Sequence, residues 1–113
     1  MGRMWVKMKK QEILEAFRGY ESTIKEIVGE AQGLDGRVRT FFKGTTQAEL
    51  VNNFILSMNT KRREISRYIK NIQLKSESEC EGMDLSQVFE RMDCAVESFK
   101  STLTSIRHRV GLY

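Results

Sequence analysis

Apolar residues recur every three or four positions along three long stretches of this chain, with polar residues between them. This spacing places the apolar side chains of each stretch on one stripe of an α-helix. A sustained heptad stripe is unstable in water unless it is covered, so the three predicted helices must pack together or against a partner. The first stripe comprises Ile13, Phe17, Tyr20, Ile24, Ile27, Ala31, Leu34, Val38 and Phe41. The second comprises Val51, Phe54, Met58, Lys61, Ile65, Tyr68 and Ile72, and the third comprises Leu85, Phe89, Met92, Val96, Phe99, Leu103, Ile106 and Val110.

Turn and capping residues mark the ends of these helices. Gly44 suits the left-handed position just after a helix, and Thr46 with Glu49 forms a capping-box pattern at the next start. Asp84 is placed to cap a third helix, and the chain contains no proline to interrupt the long stretches. The predicted helices span about 8–42, 46–75 and 84–110, with a polar, acidic loop at 76–83.

These elements predict an all-α protein with a single helical domain over residues 1–113. Because the first connection is short, the first two helices should form an elongated antiparallel hairpin. The third long helix completes a three-helix bundle or a coiled-coil-like arrangement, either by lying along the hairpin or by packing on another chain. Helices this long in a chain of 113 residues favour a homo-oligomer or a heteromeric partner.

No apolar run reaches the roughly 18 residues that a membrane-spanning helix needs, and the first residues lack the apolar segment of a secretory signal. We therefore expect either a cytoplasmic protein or one that is secreted without a cleaved signal peptide. Cys80 and Cys94 match no zinc or redox spacing. Both are expected to be reduced thiols, and a bridge stays open only if the segment around Cys80 folds back onto the third helix.

Charge is distributed unevenly along the chain. Residues 45–75 carry six Lys or Arg against two Asp or Glu, whereas residues 76–113 carry four against seven. The spacing of Arg63, Arg67 and Lys70 puts them on one helix face. This face suits either the phosphates of nucleic acid or an acidic protein surface. The whole candidate basic patch consists of Lys61, Arg62, Arg63, Arg67 and Lys70.

Residues with catalytic chemistry are sparse. His108, the only histidine, sits between two arginines near the end of the third helix and has no evident partner to orient it as a base. Glu77, Glu79 and Glu81 alternate, but they lack the ligand pattern of a calcium loop. No glycine-rich phosphate loop, zinc-binding cysteine pair or metalloprotease motif occurs in the sequence. We therefore predict a protein that is not an enzyme and that has no cofactor or metal.

Two short motifs resemble those of a known family. Phe42-Lys43-Gly44 is an aromatic-x-Gly turn between two predicted helices, and Phe89 is followed four residues later by Asp93. In this combination the chain resembles the WXG100 superfamily and the small helical partners of LXG-type toxins, which are substrates or targeting factors of type VII secretion. The resemblance covers about residues 10–93. The chain departs from the family in having phenylalanine at position 42, a long helix after residue 93 and a basic net charge.

The resemblance implies a turn shaped by Phe42 and Gly44, and an export signal formed by Phe89 and Asp93 that the secretion motor reads. It also implies pairing of the chain with itself or with a related partner. The helical stripe by itself gives no reason for an acid at position 93.

The sequence therefore predicts a non-enzymatic protein–protein interaction module, with a type VII secretion substrate or a targeting partner of a larger toxin as its most concrete form. Trp5, which precedes the periodic region, is a candidate anchor on a partner. Two alternatives stay open. One is a nucleic-acid-associated helical protein that uses the basic face of the second helix, and the other is a regulatory subunit of another multiprotein assembly.

Overall fold

A computed structural model of the protein describes residues 8–41 and 46–109, and the side chains of residues 8–33 and 49–108. Over this part of the chain the protein is all-α, as predicted, and contains no β-strand. Helix α1 spans Lys10–Phe41, α2 spans Thr46–Gln73, α3 spans Glu77–Glu81 and α4 spans Ser86–Arg109. Trp5, Phe42 and Gly44 lie outside the described residues, as do the side chains at 34, 38, 41, 46 and 110.

Helices α1 and α2 run antiparallel. Lys10 at the start of α1 lies beside Gln73 at the end of α2. Two turns further along α1, the Phe17 ring stacks on the Tyr68 ring with 5.2 Å between their centroids. Residues later in α1 thus meet residues earlier in α2.

Helix α4 lies along the hairpin and runs parallel to α1. Tyr20 of α1 contacts Asp93 in the first half of α4, and Glu30 of α1 pairs with Arg107 near the end of α4. The third long helix therefore contacts α1 of its own chain.

The three apolar stripes form one core within the chain. Every described member of the third stripe is buried, and so are most members of the first two, whereas Tyr20, Lys61 and Tyr68 are half-buried. The fully buried Phe17 ring contacts Tyr68 of α2 and Phe89 of α4, with 5.1 Å between the Phe17 and Phe89 centroids. Burial of such a side chain stabilises the fold by roughly 1.5–3 kcal/mol. The described stripes are thus covered without a second chain.

The molecule is elongated. Its principal dimensions are 54 × 31 × 17 Å and its radius of gyration is 16.9 Å, whereas a compact domain of this length has a radius of about 13 Å. Helix α1 has 32 residues, which at the rise of an α-helix extend about 48 Å. It packs against both other long helices, while α2 and α4 contact each other less. The length of α1 therefore sets the length of the protein.

The segment at 76–83 contains the one-turn helix α3, so the prediction of a loop is wrong for residues 77–81. Ser76 Oγ accepts the Glu79 amide hydrogen at 3.2 Å, and Glu79 Oε1 accepts the Ser76 amide hydrogen at 3.0 Å. These two bonds form a capping box. They hold the pKa of Glu79 below its usual range, with the Ser76 backbone amide as the main cause. Helix α3 also places Cys80 fully in the core, which gives this acidic segment a buried side.

Hydrogen bonds between distant residues, together with local ones, determine where the neighbouring helices begin and end. Helix α2 ends at Gln73, short of the predicted end at Lys75, where the Lys10 ammonium donates to Gln73 O at 3.0 Å and to Lys75 O at 2.8 Å. A cation at this place also meets the negative end of the helix dipole. At the start of α4, Asp84 Oδ1 accepts the Ser86 hydroxyl at 2.6 Å and the Ser86 amide at 3.1 Å. These bonds, the hydroxyl first, lower the pKa of Asp84.

Candidate functional site

The outward side of α2 carries a row of cations between two exposed leucines. Arg63, Arg67 and Lys70 are exposed, and their spacing of four and three residues puts them on the helix face opposite the buried stripe. Leu56 lies on this same face, seven residues before Arg63. Leu74 lies seven residues after Arg67 and one residue beyond the end of α2, where its amide still donates to Lys70 O at 3.2 Å. The exposed fractions of Leu56 and Leu74 are 53% and 86%. We call these five residues the basic stripe.

The other two members of the predicted basic patch lie apart from this stripe. Lys61 is half-buried, and its ammonium pairs with Glu64 Oε2 at 2.9 Å. Arg62 is also half-buried: its Nη1 donates to Asn59 Oδ1 at 3.3 Å, and its Nε has no hydrogen-bond partner among the described residues. Both side chains belong to the flanks of α2, so they are poorly placed to bind a ligand together with the outward cations.

A groove of about 620 Å³ runs between α1 and α4. The α1 side of the groove has no side chain at Gly19, where an added Cβ would meet no atom within 4 Å. The Tyr20 hydroxyl donates to Asp93 Oδ1 at 2.7 Å and so ties the two walls together. The remaining lining residues are Ala16, Thr23, Val96, Glu97 and Lys100.

The side of α4 at and beside this groove is acidic. Glu90, Asp93 and Glu97 are spaced by three and four residues, so they share one face of α4. Glu90 and Glu97 are exposed, and Asp93 is half-buried. We call these three residues the acidic row. Lys100 is the one cation among the residues that line the groove, so the wall keeps an excess of negative charge.

The two residues of the export motif both have structural contacts in α4. Phe89 is fully buried, and its ring lies 5.1 Å from Phe17 and 6.1 Å from Tyr20 between centroids. Asp93 accepts the hydrogen bond from Tyr20. The structure therefore gives the acid at this position a contact that the stripe pattern does not predict, because that pattern identifies Tyr20 as a core residue and gives no partner for its hydroxyl.

The residues that sequence analysis missed are those that lie away from the buried stripes. Leu56 and Leu74 were not singled out, although their seven-residue spacing from Arg63 and Arg67 places all four on one face. The spacing of the leucines is the signal that would have found the basic stripe.

The described residues offer binding surfaces more clearly than reactive groups. Within residues 8–33 and 49–108, no three His, Cys, Asp or Glu side chains cluster in a way that could hold a metal ion. Cys80 is buried and Cys94 is exposed, both as free thiols, and His108 is exposed near the end of α4. None of the described helices is both long and apolar enough to cross a membrane.

Comparison of the chain with models of known protein families, with curated proteins and with solved structures finds no match. The basic stripe and the groove between α1 and α4 are therefore the features from which a function can be inferred.

Proposed function

We propose that this protein is a non-enzymatic interaction module that binds an acidic, amphipathic helix of a protein partner through its basic stripe. The position of Leu56 and Leu74 supports this most. These leucines are 53% and 86% exposed and stand at the two ends of the row of cations. Large apolar side chains that face water in line with charges are typical of an interaction site. A partner that offers both carboxylates and apolar side chains would satisfy every residue of the stripe.

The dimensions of the stripe suit a helix as the partner. Leu56 and Leu74 are 18 residues apart, which is about 27 Å at the rise of an α-helix, with Leu74 one residue beyond the end of α2. A partner helix of similar length would bury one apolar contact near each end. The cations between the leucines would speed association and set the register of the two helices.

Nucleic acid is the second candidate ligand, and the alignment of Arg63, Arg67 and Lys70 on one exposed face favours it. Three aligned cations can each neutralise a phosphate, and such binding weakens steeply as salt rises. A phosphate backbone makes no use of exposed leucines at the ends of the row, whereas an amphipathic helix does. Substitution of the leucines therefore separates the two candidates.

The test is a titration of the purified protein into two fluorescent probes, an amphipathic peptide with Leu and Glu on one face and a short DNA duplex. Leu56→Ser with Leu74→Ser should weaken peptide binding about tenfold or more, because both apolar anchors are lost. Substitution of all three stripe cations by glutamine should weaken it by a similar factor. Fluorescence anisotropy gives both dissociation constants.

Arg18→Gln with Lys25→Gln is the matched control, because it removes two exposed cations from α1 instead of α2. This variant should bind the peptide like the unaltered chain. Peptide binding that is insensitive to the serine variant would contradict the proposal. Tight DNA binding that is lost only in the glutamine variant would replace it with the nucleic-acid function.

A type VII secretion substrate or targeting partner is the most concrete form of this proposal, and the motifs of the sequence support it. In the folded chain a receptor can use the Asp93 carboxylate fully only after its hydrogen bond with Tyr20 opens. Asp93→Ala should therefore stop export, while Tyr20→Phe, which removes the same hydrogen bond but keeps the carboxylate, should be exported normally. Equal loss of export in both variants would mean that export depends on the hydrogen bond between Tyr20 and Asp93 and not on recognition of the Asp93 carboxylate.

A further inference from the structure

The basic stripe and the acidic row carry matching charge spacings. The cations of the stripe are separated by four and then three residues, and the carboxylates of the row by three and then four. Read in opposite directions, the two spacings are the same. Two helices that pack antiparallel through these faces therefore bring each cation beside a carboxylate. The resulting pairs are Arg63 with Glu97, Arg67 with Asp93, and Lys70 with Glu90.

These pairs do not form within one molecule. The cations are exposed on the outward face of α2. Helix α4 meets α2 on the opposite, buried face, where the Phe54 and Phe99 rings lie 6.0 Å apart between centroids. A second chain is needed to bring the basic stripe to an acidic row.

The groove between α1 and α4 leaves room for an added helix beside the acidic row. Its α1 wall is made of Ala16, Gly19, Tyr20 and Thr23, of which all but Tyr20 are small. A Cβ on Gly19 would meet nothing within 4 Å. Helices pack with their axes about 8–10 Å apart, and small residues at the contact allow the closer distances.

We propose that the basic stripe of one copy of this chain binds the acidic row of a second copy, antiparallel to α4 and seated in the groove. The inference rests on the charged part of the proposed function, because it names the helix that Arg63, Arg67 and Lys70 bind. In this register Leu56 and Leu74 face Thr104 and Ser86 of that helix, so the leucines contribute no apolar contact to it. Stripe and row are different parts of the surface, so the contact is heterologous and each copy keeps one of the two for a further copy. Its charged pairs are partly exposed to water, so self-association should weaken as salt rises.

Charge reversal on each surface, followed by reversal on both, tests the contact. The stripe variant is Arg63→Glu with Arg67→Glu, and the row variant is Glu90→Lys with Glu97→Lys. Asp93 is left unchanged because Tyr20 binds it. Size-exclusion chromatography with light scattering, over a range of concentrations, should show a mass that rises with concentration for the unaltered chain. Each single-surface variant should have a dissociation constant weaker by about tenfold or more, because like charges then face each other.

The variant that combines all four substitutions is the decisive sample, because attraction between stripe and row is restored with the signs exchanged. It should regain most of the self-association of the unaltered chain. Arg18→Glu with Lys25→Glu, which reverses two exposed cations on α1, should associate like the unaltered chain. Circular dichroism melting curves check that every variant is folded.

A steric pair of variants tests the groove independently of charge. Gly19→Leu places a side chain inside the groove, whereas Gly29→Leu places the same side chain on another exposed part of α1, and the added Cβ meets no atom within 4 Å at either position. Gly19→Leu should reduce self-association about tenfold or more, and Gly29→Leu should leave it unchanged.

Three results would overturn the inference: a chain that stays monomeric at every concentration, association unaffected by the stripe or row variant, or no recovery in the combined variant. Peptide binding by a monomeric chain would leave the proposed function standing. Failure of both self-association and peptide binding would remove the two together.

Discussion

Tyr20→Phe tests whether Asp93 stabilises the fold. The substitution removes the hydroxyl that donates to Asp93 Oδ1 at 2.7 Å, and it keeps the ring, whose centroid lies 6.1 Å from that of Phe89. A hydrogen bond to a charged group contributes about 1.5–3 kcal/mol. Both residues are half-buried, so water compensates part of the loss, and the free energy of unfolding should fall by about 1–2 kcal/mol. For a chain of this size the melting temperature should fall by roughly 4–8 °C.

Urea denaturation followed by circular dichroism measures this change, and the urea dependence should keep its slope while the midpoint moves. Tyr68→Phe is the matched control. It makes the same chemical change in a ring that stacks on Phe17, at a hydroxyl for which no hydrogen bond is found within residues 8–33 and 49–108. Its effect should stay within about 0.5 kcal/mol.

A double-mutant cycle of Tyr20→Phe with Asp93→Ala isolates the contact from the other effects of each substitution. Residues in direct contact show coupling energies of about 0.5–3 kcal/mol, and we expect about 1–2 kcal/mol here. A coupling energy near zero, or a Tyr20→Phe variant as stable as the Tyr68→Phe control, would refute the structural role of Asp93.

Four further predictions concern the stability of single elements. Gly29→Ala should raise the free energy of unfolding by about 0.8–1 kcal/mol, because Gly29 is exposed in mid-helix and an added Cβ meets no atom within 4 Å; a loss in thermal denaturation would contradict this. Lys10→Met should lower it by about 1 kcal/mol and speed amide hydrogen exchange in the last turn of α2, since the ammonium no longer binds the terminal carbonyls. Phe17→Ala should cost about 3–5 kcal/mol in urea denaturation, a large part of the roughly 5–15 kcal/mol of a small domain, because the ring is fully buried. The pKa of Glu79 is lowered below 4.5, mainly by the Ser76 amide, so its stabilisation is present above that pH and is lost as pH falls through the folded-state pKa; Glu79→Gln should remove this part of the acid dependence, and an unchanged pH profile of urea stability would count against it.

The apolar repeat accounts for most of the fold, and it does so residue by residue. Phe17, Met58 and Phe89 are each predicted on a stripe, and each is fully buried. The period of a stripe is a property of one helix, so it can be recognised without knowledge of the other helices. The all-α class follows from the same local pattern, as does the need to cover each stripe.

The interaction surfaces were only partly predictable. The outward cations on α2 follow from their spacing, which also separates them from Lys61 on the second apolar stripe. The structure adds that Lys61 and Arg62 are half-buried. The groove depends on how α1 and α4 approach each other, which no single-helix pattern contains. The count of charges indicated that the second helix is basic and the third acidic. It did not indicate that the cations of the basic stripe and the carboxylates of the acidic row have matching spacings in opposite directions.

The sequence by itself therefore determines which segments are helical and which face of each helix is buried, because both depend on residues within a few turns of one helix. The direction of α4, the hydrogen bond from Tyr20 to Asp93, and the capping of α2 by Lys10 depend on residues more than 60 positions apart. Such contacts form only after the apolar faces have met. Their partners are then chosen by which polar groups come within hydrogen-bond distance and would otherwise be left unsatisfied.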